Sequence, residues 1–342
     1  NLEPNGGGIY IWNGSKWYYI GGGKGIATVP DHFEPSCATN SVCQKFFDEG
    51  FYPVPLSDTD RTFNVTYQSR SADFVMKPVT GGVFYMGNQT TDNSKPNYDT
   101  GSTAYSVHQV GVSSFYMSKT EVTQKQFLTV MDAAGEDNTL PITYRSWYDA
   151  IAFCNKLSLL DGKEPCYSVS TVSNWATLAY SSIPTSNTDA WNNVIWDKTA
   201  NGYRLATEAE WEYAARGGQK NEYTRTLGAS GTQYVFSGSN TINDVAWNVN
   251  LGGATREVAT KAANDLGLHD MSGNVWEFCW DRHGDYSTCC EESPVGATSG
   301  ERILRGGSYS GTLHVSARHS YSGSSYNRIY PDHGFRIVCS AF

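Results

Sequence analysis

Hydrophobic and polar positions alternate along residues 335–339, near the C-terminus, and this period of two predicts a short strand. A second apolar run, Ile303-Leu304, stands just before Gly306-Gly307 and predicts another strand. Between the two strands lie about 25 residues that are rich in Ser, Tyr, His, Gly and Arg and have no apolar period. Long segments of this kind are usually functional or disordered, and the Tyr and Arg content favours an ordered, exposed binding surface.

The pattern upstream predicts a domain of short strands and few helices that begins near Asp73. Apolar residues flank Gly81-Gly82, which predicts strand, turn and strand. A further strand from Phe115 leads into a helix that runs toward Met131. Such a mixture, with long loops between the elements, is typical of an α+β domain.

Two more helices carry recognisable start signals. One begins at Ser146, with Asp149 three residues on, places its apolar residues on one face and stops at Asp161-Gly162. The other begins with the capping box Thr207-Glu208-Ala209-Glu210 and ends at Gly217-Gly218. These local signals predict helix boundaries without reference to the rest of the chain.

The N-terminal residues 1–72 have a different texture and predict an extension to the domain at 73–342. Asn13-Gly14 lies between two aromatic, β-prone runs, which is typical of a hairpin. Its aromatic residues could form a carbohydrate platform. Packing against the main body is favoured, because an isolated two-stranded hairpin is marginally stable in water.

Composition and charge exclude several classes of function. Aromatic residues make up 13% of the 342 residues and charged residues only 17%, which favours a compact, loop-rich fold over a helical bundle. The net charge of −9 argues against nucleic acid as a partner, since that needs a clustered basic face. No apolar run approaches the roughly 20 residues that span a bilayer, and any leader or lipid anchor is expected on a removed or missing N-terminus.

The eight cysteines suit disulfides in an oxidising compartment, and no CxxC pair predicts a zinc site. Cys37 and Cys43 are close enough in sequence to close a small loop, and Cys154 with Cys166 could brace a helix end. Cys289 and Cys290 cannot easily pair with each other. The sequence leaves the connectivity open.

Six motifs in order resemble the formylglycine-generating enzyme family and cover the chain from about Asp73 to the C-terminus. They are Gly81-Gly82-Val83-Phe84-Tyr85-Met86-Gly87, Glu121-Val122-Thr123, the stretch from Tyr203 to Gly217, Gly273-Asn274-Val275-Trp276-Glu277, Leu304-Arg305-Gly306-Gly307-Ser308 and Gly334-Phe335-Arg336. The resemblance implies a C-type-lectin-like fold with long irregular segments.

The resemblance does not extend to the family's catalytic residues. Those enzymes oxidise a substrate cysteine at a copper site built from two thiolates, which suit Cu(I) as soft ligands. Here the interval from Ser308 to Arg336 has no cysteine, and Ser310 and Gly311 lie where the first would be sought. We therefore expect this activity to be absent and no cofactor to be required. His314, His319 and His333 could instead hold a metal ion, although exposed contact residues are the favoured interpretation.

The resemblance also implies a structural calcium ion near Asp270-Met271-Ser272-Gly273-Asn274-Val275-Trp276-Glu277. Side-chain oxygens of Asp270 and Glu277, with the carbonyls of Gly273 and Val275, would form the all-oxygen shell that Ca²⁺ prefers. In the alternative, Glu277 pairs with an arginine and Trp276 belongs to the core. The sequence does not decide between them.

A second branch with this fold resembles the chain more closely: the variable proteins of diversity-generating retroelements, treponemal surface proteins among them. Mutagenesis at adenines in those proteins gives codons that cannot encode Trp, Lys, Glu, Gln or Met. From Ser308 to His333 none of the five occurs, although the chain has 10 Trp. The resemblance implies a variable region at about 302–338 on a frame that includes Arg305, Gly306, Gly307, Arg318, Phe335 and Arg336.

Tyr, Ser and Gly are also the residues of antibody paratopes, where Tyr provides contact area at little entropic cost. The predicted ligand-binding residues are Tyr309, Ser310, Leu313, His314, His319, Tyr321, Ser324, Tyr326, Tyr330, Asp332 and His333. The sequence thus predicts a non-catalytic receptor at the bacterial cell surface or outside the cell, with a protein or carbohydrate ligand. Three alternatives stay open: an oxidoreductase with altered chemistry, a sugar-binding lectin, and tyrosines that merely cover the sheet.

Overall fold

The computed structural model describes residues 8–12, 17–21, 53, 55–87, 107–220, 234–287, 289–311, 313–323 and 325–341. Within them, the largest sheet has five antiparallel strands and is called the main sheet. In chain order its strands are β3 (Arg61–Tyr67), β4 (Arg70–Val79), β7 (Phe115–Ser118), β10 (Tyr203–Leu205) and β16 (Ile337–Ser340). Their spatial order is β10-β16-β7-β4-β3, so the C-terminal strand lies inside the sheet, between two strands from far upstream.

A second sheet, called the site sheet, carries the segment that the sequence singled out. Its strands are β11 (Trp276–Arg282), β13 (Arg302–Arg305), β14 (Arg318–His319) and β15 (His333–Gly334). The order is β14-β13-β11-β15, with β11 and β15 parallel and the other pairs antiparallel. The predicted surface segment therefore leaves the sheet after β13, returns briefly at β14 and ends in β15.

The remaining strands form smaller sheets. Strands β5 (Gly82–Met86), β6 (His108–Val112) and β12 (Glu291–Glu292) make a three-stranded sheet, and β8 (Tyr167–Ser168) pairs with β9 (Ile195–Trp196). At the N-terminus, β1 (Gly8–Trp12) pairs antiparallel with β2 (Trp17–Gly21), with Trp12 opposite Trp17. The strand pairing expected there is confirmed; the position of its aromatic side chains lies outside the described residues.

The helices are few, as the pattern predicts. They are α1 (Gln124–Met131), α2 (Trp147–Leu160), α3 (Asp189–Asn192), α4 (Glu208–Ala215) and α5 (Ile242–Val245), with 3-10 turns at Tyr180–Ser182, Gly218–Lys220 and Val249–Leu251. Capping boxes start α1 at Thr123, α2 at Ser146 and α4 at Thr207. The predicted α+β class and the predicted starts of α2 and α4 are confirmed.

Helix α2 differs from its prediction in one respect. The sequence indicated one apolar face, but every residue from Trp147 to Ser158 is buried. Its polar residues are accommodated by specific bonds: Asn155 donates to the carbonyl of Tyr167 at 2.7 Å, and Asp149 accepts from Ser146. Because a buried polar group costs free energy unless it is bonded, these contacts let a helix with polar residues sit in the core.

The main sheet starts earlier than the sequence suggested. Strand β3 and the first residues of β4 precede Asp73, yet Val65 and Ala72 on them are buried and belong to the hydrophobic core. In β3 the apolar residues Phe63, Val65 and Tyr67 alternate with exposed polar residues, a period of two that is typical of a strand and that the sequence analysis missed. In the described part of the chain, no helix is both long and apolar enough to span a bilayer.

The cysteine expectations are partly wrong. Cys154 and Cys166 are both free thiols, so they do not brace the end of α2. Cys289 and Cys290 are both disulfide-bonded. Cys37 and Cys43 lie outside the described residues.

Candidate ligand-binding surface

The chain turns away from the site sheet at the two glycines that follow β13. Gly306 and Gly307 have φ of 88° and 73°, a left-handed conformation that costs glycine little. A Cβ atom at Gly306 would lie 3.0 Å from the ring of Trp211, so a larger residue would also crowd the core. After these glycines Ser308 is still buried, and the chain reaches the surface at Tyr309 and Ser310.

Beneath the surface lies a set of arginine–carboxylate pairs, which together with the strands of the site sheet we call the frame. Arg336 Nε and Nη2 donate to the two oxygens of Glu277 at 2.6 and 2.7 Å. Arg318 Nε and Nη2 bind Glu208 at 2.8 and 2.7 Å. Pairs of this bidentate form fix geometry as well as charge.

Arg305 is the central member of the frame and is fully buried. One of its nitrogens reaches Glu212 at 2.5 Å. The guanidinium also donates to three successive main-chain carbonyls, those of Val315, Ser316 and Ala317, at 2.7 to 3.0 Å. It therefore holds the middle of the predicted binding segment by its backbone.

Above the frame, aromatic rings form a continuous row. His319 lies edge-to-face with Trp276 at 5.7 Å between centroids and contacts Tyr321 at 4.2 Å. Tyr321 contacts Tyr330 at 5.5 Å, and Tyr330 stacks on His333 at 4.2 Å. The row brings together residues from β11, β14 and the loop before β15.

A small polar cluster adjoins this row. Ser308 and Ser310 donate from their hydroxyls to Oδ2 of Asp332, at 2.9 and 3.4 Å. The two hydroxyls are also within 3.1 Å of each other. The residues Tyr309, Ser310, His319, Tyr321, Tyr326, Tyr330 and Asp332, all exposed or half-buried, are called the face below.

Two predicted contact residues lie below the surface, and the expectation that they are exposed is wrong. Leu313 is buried, and His333 has no exposed surface. Burial, with a smaller effect of His319, lowers the pKa of His333 to about 3, so the ring is neutral at neutral pH. Neither ring nitrogen of His333 has a hydrogen-bond partner. His314 is half-buried against Phe236, and Ser324 lies outside the described residues.

Tyr321 and Tyr326 have two roles, since both are half-buried and pack against the hydrophobic core. The alternative in which tyrosines cover the sheet is thus partly correct for these two residues. Tyr309 and Tyr330 are not among the residues packed on that core.

The sequence analysis missed Tyr144, which extends the face. Its side chain is 50% exposed, its φ is 55°, and its N–H donates to the carbonyl of Tyr330 at 3.1 Å. A left-handed backbone at a bulky residue is uncommon and is often found at functional sites. Tyr144 stands in a loop without apolar periodicity, so no sequence pattern could identify it.

One of the calcium ligands expected from the resemblance, Glu277, is engaged by other side chains. Both oxygens of Glu277 accept from Arg336, and one also accepts from Trp211 Nε1 at 2.7 Å. The alternative stated above, an ion pair with an arginine, is what the structure shows, and Trp276 is buried in the core. Among the described residues, no group of three or more His, Cys, Asp or Glu side chains is arranged to hold a metal ion.

Next to this ion pair, two acidic side chains have no countercharge of their own. Both oxygens of Glu121 and Oδ1 of Asp270 are buried without a hydrogen-bond partner. Burial raises the pKa of Asp270 to about 6, and burial together with the charges of Asp270 and Glu277 raises the pKa of Glu121 well above its usual range. A proton on one carboxyl would let the two hydrogen-bond to each other.

Four cysteines of the described residues are free thiols, and none is activated for chemistry. Cys154, Cys166, Cys279 and Cys339 are all buried. Burial raises the pKa of each, that of Cys166 to about 11. A thiol must lose its proton to bind a soft metal or attack a substrate, so none of these four is set up for either task.

Comparison with known proteins places the chain among relatives of differing activity. It is 35% identical over 271 residues to the chaperone protein LppX of Paenibacillus barcinonensis, covering 71% of this chain and 86% of that protein. It is 29% identical over 280 residues to the mouse (Mus musculus) formylglycine-generating enzyme, covering 75% and 71% respectively. Among solved structures, Treponema denticola variable protein 1 superposes with a TM-score of 0.67 and 33% identity, over 83% of this chain and all of that one.

These likenesses confirm the C-type-lectin-like fold of the formylglycine-generating type and the similarity to retroelement variable proteins. The profile of the sulfatase-modifying factor enzyme 1-like domain matches residues 63–341, from β3 to the end of the main sheet. The chain belongs to the sulfatase-modifying factor enzyme 1-like domain family, whose members include the formylglycine-generating enzymes.

Proposed function

We propose that the chain is a non-catalytic binding protein of the cell surface whose segment at about 302–338 is a diversified ligand-binding site. One observation carries the proposal: the frame holds this segment through its main chain. Arg305 binds three of its carbonyls, Trp276 N–H donates to the carbonyl of Asp332 at 2.7 Å, and Tyr148 N–H donates to that of Ser325 at 3.0 Å. Main-chain bonds do not depend on side-chain identity, so the outward side chains can change while the backbone stays in place.

The chemistry of the face supports the same conclusion. Tyr309 and Tyr330 offer large rigid surfaces, and Ser310 offers a hydroxyl that can reorient toward different partners. This combination is typical of paratopes that bind proteins or carbohydrates. The likeness to Treponema denticola variable protein 1 adds support from an independent source.

The proposal places the protein in an oxidising environment outside the cytoplasm. Cys289 and Cys290 are disulfide-bonded, and structural disulfides persist mainly in secreted or surface proteins.

Selection of binders followed by substitution of the face tests the proposal. Binders are selected from a displayed protein library against the chain. Their binding is then measured on the variant Tyr309→Ser/Ser310→Asn/His319→Asn. Tyr321 and Tyr326 are left unchanged because they pack on the core. We expect binding to be lost while the melting temperature stays nearly unchanged, since surface substitutions usually cost within roughly ±0.5 kcal/mol. Binders that recognise the variant as well as the parent would overturn the proposal.

The enzyme alternative has its own test. Purified protein is incubated with Cu(I) and a sulfatase peptide that contains cysteine, and oxygen consumption is measured. We expect neither tight Cu(I) binding nor turnover, because the four free thiols in the described part of the chain are buried and residues 308–336 contain no cysteine. Turnover above that of copper alone would show that the chain is an oxidoreductase.

A second candidate function follows from the 35% identity to a chaperone protein. In this candidate the same face binds an unfolded client chain instead of a folded ligand. Aggregation assays with a reduced, unfolding model protein discriminate the two: suppression of aggregation that is lost in the face variant would favour the chaperone.

A further inference from the structure

Asp332 is an acidic side chain at the centre of the face without a positive partner. It is the one acidic residue between Arg302 and the C-terminus. Its side chain is 15% exposed, and among the described residues the nearest ionisable nitrogen is Nε2 of His333, 3.9 Å from Oδ1. That histidine is neutral at neutral pH, so it supplies no positive charge to the carboxylate.

Four arginines of the C-terminal segment are paired with other carboxylates. Arg305 pairs with Glu212, Arg318 with Glu208, Arg328 with Asp149 and Arg336 with Glu277. A largely buried carboxylate that lacks a countercharge is unfavourable unless something supplies one. A ligand that carries a positive charge would supply the missing countercharge.

Aromatic groups surround the carboxylate. Tyr309 stands between Ser308 and Ser310, whose hydroxyls bind Asp332, and Tyr321 lies 4.8 Å from the ring of His333 between centroids. Burial, with a smaller effect of the charge of Asp332, raises the pKa of both phenols. Tyr330 stands beside Tyr321 in the ring row, and Tyr144 raises the pKa of Tyr309 further. The ring of His333, with two unbonded nitrogens, lies beneath. Tyrosine faces attract cations, most strongly where water is excluded.

The frame of the same protein shows how such a group of residues is completed. The guanidinium of Arg328 lies 4.6 Å from the ring centroid of Tyr180 and binds Asp149 at 2.7 Å. Arg318 lies 4.2 Å from the centroid of Tyr286 and binds Glu208. In both places a tyrosine and a carboxylate hold one guanidinium between them. The face has the tyrosines and the carboxylate but no guanidinium.

We propose that the face binds an arginine side chain of a protein partner, with the guanidinium paired to Asp332 and stacked on Tyr309, Tyr321 or Tyr330. This inference rests on the proposed function and names the chemistry of its ligand. Arginine fits better than lysine because its planar guanidinium stacks on rings and forms parallel bonds to a carboxylate. The net charge of −9 adds long-range attraction for a cationic partner.

The probe is N-acetyl-arginine methylamide, titrated into the full chain and followed by NMR of the tyrosine rings. We expect saturable shifts at the face with a dissociation constant on the order of millimolar, as befits one side chain. The citrulline analogue, which keeps the shape and loses the charge, should bind at least about tenfold more weakly. An equal response to citrulline, shifts that map elsewhere, or no saturable shift would overturn the inference.

Two single-residue variants test the role of the carboxylate in binding the arginine probe. Asp332→Asn keeps an oxygen for Ser308 and removes the charge, and should weaken binding of the arginine probe at least about tenfold. The control is Glu164→Gln, which removes the same charge from an exposed residue beyond the C-terminal end of α2. The opposite end of that helix adjoins the binding segment at Ser325, so this substitution should leave binding unchanged. Melting curves confirm that both variants fold. Equal binding by Asp332→Asn and the parent would overturn the inference.

The library selection described above separates this inference from the proposed function. If selected binders need the face but bind Asp332→Asn as well as the parent, the guanidinium inference fails and the binding function stands. If the binders do not need the face at all, the binding function itself fails.

Discussion

The frame and the face differ in residue type and in how their charged groups are paired. In the frame, Arg336 and Glu277 satisfy each other at 2.6 and 2.7 Å inside a buried site. In the face, Asp332 has no cationic partner among the described residues, and both ring nitrogens of the buried His333 beneath it lack a hydrogen-bond partner. The frame therefore pairs its main charges within the molecule, and the face leaves a carboxylate to be paired.

This difference separates stability from binding. The frame contributes charge pairs, main-chain bonds and the aromatic core, so changes there should unfold the protein. The face contributes little to the stability of the fold, so substitutions there should alter only which ligand is bound. Tyr321 and Tyr326, which belong in part to both, mark the boundary between them.

The largest effect is expected at Phe335, where the frame meets the core. Its ring packs edge-to-face on Phe127 and Phe153 at 6.3 and 5.3 Å. Phe335→Ala leaves a cavity and should lower the free energy of unfolding by about 3–5 kcal/mol. Denaturant unfolding measures it, with Phe335→Leu as the control that keeps most of the volume. A loss below that of the leucine variant would show that the core does not depend on this ring.

A similar loss should occur within the binding segment itself. Leu313 is buried, so Leu313→Ala should lower the free energy of unfolding by about 2 kcal/mol or more. Ser310, three residues earlier, is exposed, and Ser310→Ala should have an effect near zero. Both are measured by denaturant unfolding. Equal effects at the two positions would mean that the segment is not divided into frame and face as described.

An effect of opposite sign is expected at the unpaired acids beside the frame. Burial raises the pKa of Asp270 to about 6, above its unfolded value of about 3.9, so the folded protein holds this proton more tightly. The resulting stabilisation is complete below about pH 4 and is lost as the pH rises through about 6. Asp270→Asn should therefore raise stability at pH 7, on the order of 1–3 kcal/mol, and flatten the profile from pH 4 to 7.

Thermal melts across that pH range provide the measurement. The control is Glu257→Gln, an exposed carboxylate in the neighbouring loop, which should leave the profile unchanged. A variant Asp270→Asn that is less stable than the parent at pH 7 would show that the fold uses the negative charge.

Elements that depend on local sequence could be predicted, and features that depend on contacts between residues distant in sequence could not. The capping boxes at Ser146 and Thr207 are contained within four residues each, so the helix starts could be predicted directly. The burial of Leu313 and His333 could not be predicted, because it arises from strands and loops that come together only in the folded chain. Glu277 and Arg336 are 59 residues apart, so the choice between calcium and an ion pair needed the structure.

The smallest effect is expected on removal of metal ions, which tests whether the frame is held by charge pairs alone. The oxygens of Glu277 are occupied by Arg336 and Trp211, so calcium could enter only if Arg336 moved away. EDTA should leave the melting temperature unchanged, and added Ca²⁺ should have no effect. An ion that binds the folded state at 100 times its dissociation constant would add about 2.7 kcal/mol, a shift that thermal melts detect easily. A rise with Ca²⁺ that Glu277→Gln abolishes would restore the calcium site and remove the arginine pair from the frame.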